Sequence, residues 1–140
     1  MAEFTNTPIQ LVDEDANVVF SETPVRGCKC IDHREGSGIV TLRGIADSCF
    51  ARYRVSFGAN IAIPTGGTVE PISVAISVKG EALGSATALY TPAAVDEYGN
   101  VYISVLVHVP RGCCIDIGVV NTSDQAINVQ NANLIVDKEV

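Results

Sequence analysis

A chain of 140 residues that is 47% apolar has room for a real core, since a domain of this size buries about 68–70% of its unfolded surface; wholesale disorder is excluded. A net charge of −7 with only nine scattered Lys and Arg excludes a phosphate-binding stripe, so no nucleic-acid partner is expected, and the acidity reads as a solubility feature. No apolar run reaches the roughly 18–20 residues of a spanning helix, so no membrane partner is expected either.

Val, Ile and Ala dominate, Trp is absent, and β-branched richness favours strands. Met1 to Asn6 carries neither a basic region nor an apolar stretch of signal-peptide type, which predicts synthesis and folding in a cytosol. Ile9 and Leu11 alternate, Asp13 to Asn17 is a polar turn, and Val18-Val19-Phe20 forms a second short ribbon. Residues 1–25 therefore read as an N-terminal arm or edge hairpin, set apart from a domain over 26–140. Asp13, Asp15 and Asn17 copy the start of a calcium loop, but Val18 stands where that loop needs Gly and Pro24 where it needs Glu.

Beyond Pro24, a charged turn at Asp32 to Gly38 leads into a strand over Ile39 to Leu42. Ala51, Tyr53, Val55 and Phe57 then alternate with Arg52, Arg54 and Ser56, the pattern of a half-buried strand, and Ile61 to Ile63 extends it. Pro64-Thr65-Gly66-Gly67 breaks the strand, and Ile72, Val74, Ile76 and Val78 form the next. Ala82 to Ala94 is small and weakly patterned, fitting a short strand or a loop, with one helical turn near Ala93 to Glu97. From Asn100 to Val136 the alternation is strongest: Val101 to Val109, Ile115 to Val119, then Ile127, Val129, Leu134 and Val136. About eight strands at 10–15-residue spacing give an all-β fold, an antiparallel sandwich of jelly-roll type.

Motifs with chemistry are scarce. Five cysteines without a secretory signal argue against a disulfide framework; Cys28-Lys29-Cys30 and Cys113-Cys114 lack zinc-ribbon spacing and read as small buried hydrophobes. Neither His33 nor His108 has a neighbour marking it as a base, and Gly36-Ser37-Gly38 is not a nucleophile elbow. Asn121-Thr122-Ser123 matches a glycosylation acceptor but reads as a turn. The expectation is a domain that acts through its surfaces: no enzyme, no cofactor, no metal.

Arg52-Tyr53-Arg54-Val55-Ser56-Phe57 resembles the "Gly-x-Tyr-x-Val-Ser-Phe" strand of C1q/TNF-like jelly rolls. Val78-Lys79-Gly80-Glu81 is similar to their "Asn-Gly-Glu" strand end, with Lys79 departing from Asn; Val109 to Gly112 followed by Ile115-Asp116-Ile117, and Ala132 to Val136, match later strands. Three longer segments, Glu35 to Gly44, Pro64 to Ser73 and Asn121 to Leu134, resemble small proteins encoded in phages and prophages of gut clostridia, often beside capsid genes.

These resemblances imply a homotrimer, with Tyr53, Phe57, Tyr90, Tyr98 and Tyr102 as candidates for its axis. They also imply a phage virion structural protein, a head-decoration protein on the capsid exterior whose partner is the major capsid protein. Phe4, Ile9, Leu11 and Phe20 of the arm are then the candidate capsid anchors. The alternative is a trimeric receptor-binding or adhesion tip of a fibre or surface filament, with loops such as Thr65 to Thr68 gripping sugars. Such tips follow a collagen-like or coiled-coil shaft, and this sequence has none. A soluble monomeric ligand-binding jelly roll or an enzyme is the residual case.

Overall fold

The structure, a computed structural model, describes residues 1–139, and all of its regular elements are strands. They are β1 (Ala2–Asn6), β2 (Gln10–Val12), β3 (Glu22–Val25), β4 (Ile31–His33), β5 (Val40–Arg43), β6 (Phe50–Ala62), β7 (Ile72–Val78), β8 (Glu81–Tyr90), β9 (Gly99–Pro110), β10 (Cys114–Asn121) and β11 (Ile127–Lys138). One sheet runs β3-β1-β11-β6-β9, with β2 also pairing β11; the other runs β4-β5-β10-β7-β8. Both are antiparallel throughout and face each other as a sandwich, as the alternating ribbons predict.

The buried rows meet between the sheets. Tyr53, Phe57 and Ile61 of β6 and Leu134 of β11 face Leu42 of β5, Ile76 of β7 and Ile117 of β10, all buried. At roughly 1.5–3 kcal/mol for each large apolar side chain, this double layer is the main favourable term.

Residues 1–25 are a strap across both sheets rather than an arm. β1 pairs β11 from Ala2↔Val136 to Asn6↔Ala132, and β2 pairs the start of β11. The chain then crosses to the second sheet, where the Val18 amide donates to the Val119 carbonyl at 2.8 Å, and returns to pair β3 with β1. Phe4 and Phe20, expected as capsid anchors, are therefore core residues at 3% and 0% exposure. The Phe20 ring meets Phe57 edge-on at 6.3 Å, inside the sandwich. Their partners lie on distant strands, which local pattern could not reveal.

The weakly patterned stretch after Lys79 is a full strand, β8, paired along β7. Its Ala, Gly, Ser and Thr residues hide the period of two because an edge strand needs few large inward side chains. No helical turn forms at Ala93 to Glu97; turns and bends stand there, with Asp96 in the left-handed region at φ 59°.

The two edges of the sandwich differ. On one side the sheets end in β3 and β4, only four and three residues long, with Pro24 inside β3. On the other they end in β8 and β9, ten and twelve residues long, which lie beside each other across the sandwich. Short strands and proline blunt an edge against pairing with another chain; long regular strands do not.

Candidate functional site

The outer face of the β3-β1-β11-β6-β9 sheet carries the polar half of the alternating pattern. On β6, Arg52, Arg54, Ser56, Gly58 and Asn60 stand opposite His108, Leu106, Ser104, Tyr102 and Asn100 of β9. Much of this face bonds to itself. The Asn100 amide donates to Asn60 Oδ1 at 3.2 Å, the Asn60 amide to Asn131 Oδ1 at 3.3 Å, and the Asn133 amide to Glu3. Arg54 pairs with Glu139 at 2.9 Å, and the Phe50 ring stacks on His108 at 4.6 Å.

Tyr102 and Leu106 of β9 stand out from this face. Tyr102 is 67% exposed and Leu106 47% exposed, two steps apart on the edge strand β9. Gly58, the cross-strand neighbour of Tyr102, leaves the flank of that ring open. On β8, Leu89 projects outward at 69% exposure. Between Ala82 and Val95, and again between Tyr98 and Pro110, the sequence has no Asp, Glu, Lys or Arg. Glu81 and Pro110 stand only at the strand ends, and a long edge whose interior lacks charge and proline is a ready surface for another chain.

Of the five aromatic candidates, the structure brings only Tyr102 fully to the surface. Tyr53 and Phe57 are completely buried, a correction to their placement at a trimer axis. They sit at the inward positions of β6, and Tyr53 donates its hydroxyl to the Arg43 carbonyl at 2.5 Å and the Cys30 carbonyl at 3.4 Å, tying the two sheets. Burial raises the Tyr53 pKa above its ordinary value. Tyr90 and Tyr98 are half-buried. The Tyr90 ring lies against Gly99, where a Cβ would come within 2.4 Å of it, and its hydroxyl donates to the Glu97 carbonyl at 3.3 Å.

Of the anchor candidates, Ile9 and Leu11 are exposed at 53% and 62%, near the end of the sandwich where β11 begins. Among the described residues no group of three or more His, Cys, Asp or Glu could hold a metal ion. His33 is packed against Phe4 at 4.6 Å, with Nε2 bonded to the Ser37 carbonyl at 2.9 Å. Only one cysteine behaves as a buried hydrophobe: Cys30 is buried and disulfide-bonded to exposed Cys28, while Cys49, Cys113 and Cys114 are exposed free thiols in or beside loops. Asn121, in the acceptor-like triplet, is completely buried, and its side chain makes four hydrogen bonds.

No protein-family model matches the sequence, and no curated protein matches it. Among solved structures the chain is similar to Eiger TNF from S. frugiperda, at TM-score 0.69 and 13% identity over 99% of this chain and 91% of that one. It is also similar to the globular domain of zebrafish complement 1qA protein, at TM-score 0.66 and 8% identity over 96% and 94%. Murine APRIL aligns at TM-score 0.60 and 12% identity over 95% and 97%. The all-β sandwich is thus a C1q/TNF-like fold.

Proposed function

We propose that this protein is a homotrimeric virion structural protein, a decoration protein bound to the outside of a phage head. The observation that carries self-association is the pair of long edge strands β8 and β9, without charge from Ala82 to Tyr90 and from Gly99 to Pro110, with Leu89 exposed on one and Tyr102 and Leu106 on the other. Packing that edge against the outer sheet face of the next copy is a heterologous contact, and it closes after three copies when the rotation is threefold. The C1q/TNF-like fold supports this arrangement, and obligate interfaces of this type bury upwards of ~2,000 Å².

The capsid role is supported by the resemblance of Glu35 to Gly44, Pro64 to Ser73 and Asn121 to Leu134 to phage-encoded proteins. Local threefold positions of a shell suit a trimer. The major capsid protein is the partner, and assembly takes place in the host cytoplasm. Mass spectrometry of purified phage heads tests the reading: the protein is expected at a copy number divisible by three, and its absence from purified particles sinks it. Labelled protein that binds host cells but not empty heads moves the assignment to a fibre tip.

A further inference from the structure

The net charge of −7 is local. β2, β6, β8 and β10 all end, and β7, β9 and β11 all begin, at one end of the sandwich, so the loops after residues 12, 62, 90 and 121 gather there. Asp13, Glu14 and Asp15 lie in the first of these loops and Glu70 in the second. Asp96 and Glu97 lie in the third, Asp124 in the fourth, and none of the four carries a Lys or Arg. The nine carboxylates elsewhere equal the nine Lys and Arg in number, so this end holds the whole excess.

The four loops form one braced surface. The Asp15 amide donates to the Asn121 carbonyl at 3.0 Å, and the Asp96 amide to the Ile63 carbonyl at 2.8 Å. Thr65 Oγ1 donates to Asp96 Oδ2 at 2.6 Å, and Gln125 brackets Thr68 through bonds of 3.0 and 2.7 Å. The same end presents apolar groups: Leu11 at 62% and Val69 at 51% exposure, with Ile9 at 53% just before β2. Leu11 borders an open depression of about 430 Å³ floored by the Pro64 to Thr68 loop and Gln125.

We infer that this end is a docking surface for a protein whose contact patch is apolar and ringed by Lys and Arg. Apolar contact supplies the area, while carboxylates fixed on braced loops select a cationic rim and repel an acidic one. A second copy presenting this same end is disfavoured by like charge. On the virion reading, on which the identity of the partner rests, this is the end that faces the shell, and the end with the exposed cysteines points outward.

Two experiments separate the inference from that reading. The first titrates the protein with a synthetic peptide of alternating Leu and Lys, using a Leu–Glu peptide and a Gly–Lys peptide as controls, followed by NMR. Shifts are expected at residues 9–15, 64–70, 94–98 and 122–126 with the Leu–Lys peptide only, with affinity falling about tenfold or more between about 0.05 and 0.2 M salt. Shifts elsewhere, or equal binding of the Gly–Lys peptide, overturn the inference. The second measures binding to phage heads stripped of the protein. The triple variant Glu14→Lys, Glu97→Lys, Asp124→Lys should lose at least about tenfold in affinity by charge repulsion, and Lys29→Glu with Arg111→Glu at the opposite end should not. Equal binding by wild type and the triple variant refutes the inference and leaves the virion reading standing. Failure of wild type to bind heads refutes that reading, and the peptide titration then decides the inference alone. Stacking of the protein on its own copies, seen as salt-sensitive growth beyond the trimer, also overturns it.

Discussion

The side-chain amide of Asn121 donates to the main-chain carbonyl of Val12 at 3.0 Å, joining residues 109 positions apart at the buried end of β10. The same amide reaches the carbonyls of Asp13 at 3.3 Å and Gln125 at 2.9 Å, and Oδ1 accepts the Ser123 amide at 2.9 Å. One residue thus fastens the strap to both sheets and shapes the β10–β11 loop. Asn121→Ala should cost about 2–3 kcal/mol, because it leaves buried carbonyls without donors. Asn121→Asp should cost more at neutral pH, since it aims a carboxylate at those carbonyls. Urea unfolding with an unchanged slope checks both; a loss under about 0.5 kcal/mol for the alanine variant contradicts the role.

Tyr53 makes stability fall at high pH. Its folded-state pKa is raised by burial above the 10.0 of the free side chain, so above about pH 10 the unfolded chain releases this proton first. The folded state then holds more protons than the unfolded one, and stability decreases as pH rises through that window. Tyr53→Phe should remove this contribution while costing about 1 kcal/mol at neutral pH through the lost bond to the Arg43 carbonyl. Thermal melts between about pH 8 and 11 distinguish the two proteins.

Lys79 and Gly80 form the two-residue turn between β7 and β8, and both have positive φ, 55° and 81°. A turn of this hand favours Asn-Gly, because Asn tolerates the left-handed region better than Lys. Lys79→Asn is expected to stabilise the protein by about 0.5–1 kcal/mol. An unchanged or lowered denaturation midpoint contradicts that account.

Tyr102 and Leu106 supply the test of assembly. Tyr102→Arg with Leu106→Glu should convert a species of three times the 14.7 kDa chain mass into a monomer that keeps its β-rich circular dichroism. Tyr98→Ser, at a half-buried position in the loop before β9, should leave the mass unchanged. Sedimentation velocity reads both, and a wild-type monomer at micromolar concentration removes the trimer from consideration.

The long ribbons are legible because each carries its own period of two: Ile72 to Val78 is a strand as expected, and the expected Val101 to Val109 lies inside β9, which adds Gly99, Asn100 and Pro110. That pattern also places Tyr53 and Phe57 inward, so position, not aromatic identity, decides against them as axis residues. Phe4 and Phe20 escape a local pattern for another reason: what covers them arrives from β11 and from the opposite sheet, far along the chain. The concentration of charge at one end was invisible in a linear reading, because its carboxylates are spread from Asp13 to Asp124 and meet only when the strand ends are sorted.

The pairing of Ala2 with Val136 also has a consequence for synthesis. β1 leaves the ribosome long before β11, and β11 itself lies between β1 and β6, so the first sheet cannot close until the last strand is out. Until then β1 lacks its partner in β11, and closure of this sheet falls on the millisecond-to-second scale usual for topologies of such distant contacts. During that interval the long edge segments β8 and β9 are open to neighbouring chains, so lower temperature or chaperone supply should raise soluble yield.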